Sequence, residues 1–146
     1  MNKIRIKRLL PQVKLPVYAS TSAAAADLCS AEKETVTVMP GKTVLIHTGL
    51  SAEIPEGYAG FIYARSGLAS KRGLAPANKV GVIDCDYRGE VMVTLHNHSE
   101  ASQTVAKGER IAQLVITPYV VADFEEADEL SETVRGEGGF GSTGTK

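Results

Sequence analysis

Three stretches of the chain gather residue types that suit a phosphate-bearing ligand. In Tyr63-Ala-Arg65-Ser66-Gly67 a guanidinium, a hydroxyl and an open glycine backbone stand at the expected start of a short helix. Backbone N–H groups there lack intrahelical partners and attract anions. In Asn78-Lys-Val-Gly-Val-Ile-Asp84-Cys-Asp86-Tyr87-Arg-Gly89 a carboxylate ends an apolar run. It can serve as a general base, and in an extended segment Asp84 and Asp86 point to the same side. In Arg135-Gly-Glu-Gly-Gly-Phe140-Gly141-Ser142-Thr143-Gly144 closely spaced N–H groups and two hydroxyls can cradle phosphate, Arg135 can grip it with two donors, and Phe140 can stack on a base. This is not a P-loop, because no Lys follows the glycine directly and no helix follows. Taken singly, each stretch has an ordinary explanation: a capped turn with a surface arginine, an acidic turn, a loose Gly/Ser terminus.

Other candidates carry less. His96-Asn-His98 puts two imidazoles on one strand face, but no third zinc ligand accompanies them. Asn97-His-Ser99 matches a glycosylation sequon in a chain with no visible export signal. Cys85, between two carboxylates, is a poor setting for a nucleophilic thiolate. With Cys29 it forms neither a CxxC pair nor a disulfide framework.

The elements that must position these residues read as an all-β domain. The chain has 146 residues, enough for one core, with 43% hydrophobic and 23% charged residues, so wholesale disorder is excluded. A net charge of −1 leaves no footprint for a nucleic-acid polyanion. No apolar run reaches the ~20 residues of a membrane helix. The basic start, Lys3 to Arg8, alternates charge with Ile and precedes Pro11, unlike a signal peptide, so a cytoplasmic location is expected. Pro40-Gly41 predicts a type II turn, and Pro55-Glu-Gly57, Arg88-Gly89 and Lys107-Gly108 are weaker turn signals. Between them, Thr35–Met39, Val44–Ile46, Phe61–Tyr63, Val80–Ile83, Glu90–His96 and Leu114–Ile116 predict strands, with Val91, Val93 and Leu95 sharing one face. Many short strands at this spacing suggest a sandwich or a barrel. Ser66–Arg72 predicts a short helix capped by Ser66 and ended by Gly73. Ala122 to Val134 is acidic and predicts a solvated loop or single turn, and five glycines beyond it predict a tail that is mobile unless a ligand holds it.

Together, and in this order, the motifs resemble those of the trimeric deoxyuridine triphosphatase (dUTP diphosphatase, dUTPase) family. The matching segments are Ala24-Ala-Ala-Asp27-Leu28, Ala64-Arg65-Ser66-Gly67-Leu68-Ala69, Gly81-Val-Ile-Asp84-Cys-Asp-Tyr87-Arg-Gly89, Gly108-Glu-Arg110-Ile-Ala-Gln113-Leu114 and the Arg135–Gly144 stretch. One departure stands out: Ala25 occupies a place where the family usually has Gly.

The resemblance implies a distorted jelly-roll-like β subunit over residues 1–134, and a C-terminal arm, 135–146, that closes over a neighbour's site. It implies a homotrimer with active sites between subunits, and hydrolysis of dUTP to dUMP and diphosphate with Mg2+. That reaction would keep uracil out of DNA and supply dUMP for thymidylate synthesis. It further implies Asp84 as the base that activates water against the α-phosphorus, a role in which positioning must supply much of the rate. Arg65, Ser66, Gly67 and Gln113 are then phosphate contacts, and Tyr87 packs on deoxyribose. Asn78, Val82, Ile83 and Met92 form the uracil pocket. Arg135, Phe140, Gly141, Ser142 and Thr143 close the site, and Asp27 acts on Mg2+ through water, the triphosphate holding the ion otherwise. A related deaminase of deoxycytidine triphosphate and a catalytically silent dUTP-binding protein are the rival readings.

Overall fold

The computed structural model describes residues 3–139. Twelve strands and one helix follow in order: β1 (Arg5–Arg8), β2 (Val17–Tyr18), β3 (Ala26–Cys29), β4 (Val36–Val38), β5 (Thr43–His47), β6 (Leu50–Glu53), β7 (Tyr58–Tyr63), α1 (Ser66–Arg72), β8 (Leu74–Pro76), β9 (Gly81–Ile83), β10 (Met92–Asn97), β11 (Gln103–Val105) and β12 (Arg110–Pro118). A five-stranded sheet runs β2-β3-β12-β7-β9, a three-stranded one β5-β10-β8, and two-stranded ribbons join β1 to β6 and β4 to β11. Every pairing is antiparallel. Among the described residues no sheet closes on itself, so of the sandwich and the barrel it is the open, layered arrangement that forms.

Alternation sets the core. Val91, Val93 and Leu95 turn inward together, and Leu28, Val38, Ile46, Leu50, Leu74, Val105 and Ile111 meet them, all essentially inaccessible to water. Three of the four predicted turns hold, with Gly41, Gly57 and Gly108 at positive φ; at Arg88-Gly89 Gly89 does not take positive φ, and the turn there falls earlier, at Cys85-Asp86. Asn97 is fully buried yet satisfied. Its Nδ2 donates to the carbonyls of Val38 and Ala101, each at 2.8 Å, and its Oδ1 accepts from the N–H and hydroxyl of Ser99. The sequon is therefore a structural knot, closed to glycosylation.

Two further expectations are corrected. The helix spans the expected residues, but its N-cap is Arg65 and no side chain caps it; Ser66 is already helical, and its carbonyl accepts the Ser70 hydroxyl. Gly73 ends the helix as expected, at φ 66°, and donates its N–H to the Ala69 carbonyl. The segment after Ile83 is not extended. It folds into a turn closed by the Tyr87 N–H on the Asp84 carbonyl, 3.2 Å, so Asp84 and Asp86 do not share a strand face.

Strand β12 is the spine of the site. It lies between β3 and β7, and one residue, Gln113, is opposite Asp27 on one side and Tyr63 on the other. Its pairing with β3 shifts register between Arg110 and Ala112. Such a bulge re-aims the side chains around it.

Candidate active site

The expected site residues fall into two separate cavities. The first, about 310 Å³, opens beside β9 and β10 and is lined by Asn78, Val82, Ile83, Asp84, Tyr87 and Met92, with Ile62, Pro76 and Val93 supplying an apolar floor. The second, about 470 Å³, lies between β3, β12 and the start of α1, and is lined by Asp27, Arg65, Ser66, Gly67 and Gln113 together with Ala25 and Arg110.

The first cavity has a mixed polar and apolar lining, and Asp84 is among the residues around it. Asp84 is exposed and leaves the sheet where β9 ends. The turn beyond it is held by its own residues. Arg88 Nη1 donates to the carbonyls of Cys85 (2.6 Å) and Tyr87 (2.9 Å), and the Tyr87 hydroxyl donates to the Glu90 carbonyl at 3.0 Å. The Tyr87 ring lies so close over Gly89 that a Cβ there would fall 2.3 Å from the phenol oxygen. A side chain at position 89 would require that ring to move.

The second cavity gathers two guanidinium groups. Arg65 Nε donates to Asp27 Oδ1 at 2.8 Å, and Arg110 Nη1 donates to Asp27 Oδ2 at 3.1 Å. Two guanidinium groups against one carboxylate leave a net positive charge, and the Asp27 side chain is only 14% exposed. Gln113 Nε2 donates to the Ala64 carbonyl, 2.8 Å, fixing the backbone that delivers Arg65. No atom crowds the Gly67 Cα, so a ligand can approach the backbone there. Ala25 is accommodated at the cavity wall without displacing Asp27 from β3. Sequence reasoning quoted Arg110 only as part of a motif; its place opposite Arg65 depends on the β12 bulge, which no local signal announces.

One chain does not bring the two cavities together. Ile83 is opposite Gly60 in β7, while Arg65 lies five residues further along the same strand direction. At ~3.3 Å per residue that sets Ile83, the residue before Asp84, roughly 16 Å from Arg65 along the sheet. Asp84 and the two arginines thus line different cavities of the one chain.

No group of three or more His, Cys, Asp or Glu among the described residues could ligate a metal. His96 and His98 meet edge to face at 4.4 Å, and His96 Nδ1 is hydrogen-bonded to Thr43 Oγ1. Each oxygen of the Asp27 carboxylate already accepts a hydrogen bond from an arginine. Cys29 and Cys85 are both free, and burial pushes the Cys29 thiol up from its ordinary range. Arg135 is exposed and folds back on the Gly138 carbonyl at 2.7 Å. Phe140, Gly141, Ser142 and Thr143 lie outside the described residues.

An all-β fold with one cavity of about 310 Å³ edged by a carboxylate and a second holding two arginines is compatible with a protein that binds a nucleotide. Comparison with known proteins narrows this. The dUTPase family model matches residues 11–144. A deoxyuridine 5'-triphosphate nucleotidohydrolase of Desulfitobacterium hafniense is 50% identical, the match covering 99% of each chain, and one of Hahella chejuensis is 46% identical over 99% of this chain and 95% of its own. The dUTPase of Staphylococcus bacteriophage 80alpha with dUPNHPP superposes with a TM-score of 0.91 at 32% identity, covering 99% of both chains. The chain belongs to the dUTPase family, and its reaction is the hydrolysis of dUTP.

Proposed function

We propose that each active site takes the first cavity from one subunit, the second from its neighbour, and the 135–146 arm as a lid. The observation that carries this is the roughly 16 Å that strand geometry sets between Ile83, at the foot of the Asp84 turn, and Arg65 within one chain. A homotrimer in which neighbours juxtapose the two cavities resolves it. Asn78 and the backbone of Val82 and Ile83 bind the uracil edge, Met92 packs on the base, and Tyr87 lies against deoxyribose, leaving no space for a 2′-hydroxyl. The neighbour's Arg65, Ser66, Gly67 and Gln113 hold the phosphates, with Arg110 adding charge. Arg135, Ser142 and Thr143 close on the β- and γ-phosphates, Gly141 giving the backbone close approach and Phe140 stacking on the base.

Asp84 accepts a proton from water as the water oxygen bonds the α-phosphorus. The bond to the β-phosphate bridging oxygen breaks and diphosphate leaves. A carboxylate is a weak base, so orientation of the water and the arginine charge lower most of the barrier. Asp27 keeps Arg65 and Arg110 aimed into the cleft. Mg2+ carried by the triphosphate would neutralise phosphate charge, and Asp27 reaches it only through water, consistent with a cation that keeps several waters. The cytoplasm, where nucleotides are made, is the setting this chemistry suits.

Asp84→Asn keeps shape and removes the base. Diphosphate release should fall at least ~100-fold, the low end for positioned acid–base catalysis, while dUTP binding survives. Near-native turnover would move the base elsewhere. Native protein should release diphosphate from dUTP far faster than from dCTP, dTTP or UTP, and deamination of dCTP would favour the rival deaminase reading.

A further inference from the structure

Glu90 lies outside the residues assigned above, yet its side chain ties the Tyr87 turn to the neighbouring β5–β6 segment. Its Oε1 accepts the Gly49 N–H at 2.7 Å and its Oε2 is paired with His47 Nδ1 at 2.9 Å. His47 ends β5 and Gly49 begins the step into β6. The same residue's backbone carbonyl accepts the Tyr87 hydroxyl at 3.0 Å. Around it the turn is stitched to the same short segment. Ser51 Oγ donates to the Arg88 carbonyl (2.7 Å), the Val91 N–H donates to the Leu50 carbonyl (2.8 Å), and the Thr48 hydroxyl donates to the Val91 carbonyl. The Glu90 side chain is 20% exposed and lies on the wall between the first cavity and a shallower groove formed by Leu9, Ala31, Glu32 and His47.

We propose that Glu90 is a positioning residue for sugar selection: its carboxylate, anchored on His47 and Gly49, sets the carbonyl that holds the Tyr87 ring at the mouth of the first cavity. This rests on Tyr87 packing against deoxyribose. The ring has no other hydrogen-bonded tether among the described residues, and Gly89 lies directly beneath it. If the Glu90 backbone drifts, the ring drifts with it and room opens for a 2′-hydroxyl. A contact that only fixes a ring changes the choice between UTP and dUTP more than it changes the chemistry at phosphorus.

The readout is the UTP-to-dUTP ratio of kcat/KM. Tyr87→Ala should raise it on the order of 10-fold, the scale of a lost steric fit. Glu90→Ala should raise it by about fivefold, the scale of one hydrogen-bonded constraint, and Glu90→Gln, which still accepts the Gly49 N–H, should return it to within about twofold of native. Tyr87→Phe, which keeps the ring but cuts its tether, should also raise the ratio. Combined with Glu90→Ala it should add little, because both changes break one linkage. A native ratio in Glu90→Ala, with a raised ratio in Tyr87→Ala, overturns the proposal and leaves the gate standing. A native ratio in both removes the gate itself. Should Glu90→Ala fail to fold, Tyr87→Phe decides: a native ratio there overturns the proposal.

Discussion

His47 carries a half-exposed imidazole whose Nδ1 is paired with Glu90 Oε2. That hydrogen bond raises its pKa above the ordinary histidine value; partial burial pulls the other way, and the Glu90 and Glu32 charges add to the rise. The groups facing it are Glu90, Glu32, whose carboxylate accepts the His47 N–H at 2.9 Å, and, around the same groove, Lys33 and Glu34. A pKa raised on folding stabilises the native state fully below the unfolded value, about 6.5, and the stabilisation fades as pH rises through the folded one. Native protein should therefore exceed His47→Gln in thermal midpoint most at pH 5.5, the gap narrowing above neutrality. A gap that widens with pH would mean that the imidazole is held neutral. At this scale the place of Asp84 at the end of an apolar strand was legible from its neighbours. Asp27 was less so: a lone carboxylate suggests a cation, and only the fold reveals that its partners are two arginines.

Among the elements, α1 places its first residues, Ser66 and Gly67, on the second cavity and its C-terminal Gly73 away from it. Ser66 makes no capping bond, so Ser66→Ala should change unfolding free energy by less than ~0.5 kcal/mol, as a surface substitution does, while impairing dUTP turnover. A true cap would cost about 1 kcal/mol. Gly73→Ala should do the reverse. Its φ of 66° disfavours a side chain, and the new Cβ would meet the Ser99 nitrogen at 2.9 Å, so a loss of about 2 kcal/mol is expected, with catalysis in the folded fraction retained. Chemical denaturation and steady-state rates on the same samples separate the two. Strands with apolar alternation, such as β10, were readable from sequence. Strands β3, β6, β8 and β11 were not, because their residues are small or polar and become strands only by pairing with β12, β1, β10 and β4.

For the whole molecule, the open sheets and the exposed 119–134 segment leave much apolar surface: Val120, Val121, Phe124, Leu130 and Val134 are all largely accessible in the single chain. A trimer would cover such residues, and native mass measurement should give three copies. Deleting 135–146 should leave that mass intact and abolish most turnover. The chain contains no Trp, so Phe140→Trp creates a single fluorophore. A non-hydrolysable dUTP analogue should change its emission more than diphosphate does; equal responses would withdraw the stacking role. Sharing of a site between subunits was implied by resemblance alone, because no residue pattern encodes the distance between two motifs in one chain.

That distance has a genetic reading. If every site draws Asp84 and Arg65 from different chains, two dead alleles can rescue each other. Asp84→Asn and Arg65→Ala proteins, each inactive alone, should regain activity when co-expressed or refolded together, since random assembly of a closed ring leaves about one site in four with both residues intact. Restored turnover near a quarter of native would make each lesion recessive to the other; none at all would return both residues to a single chain.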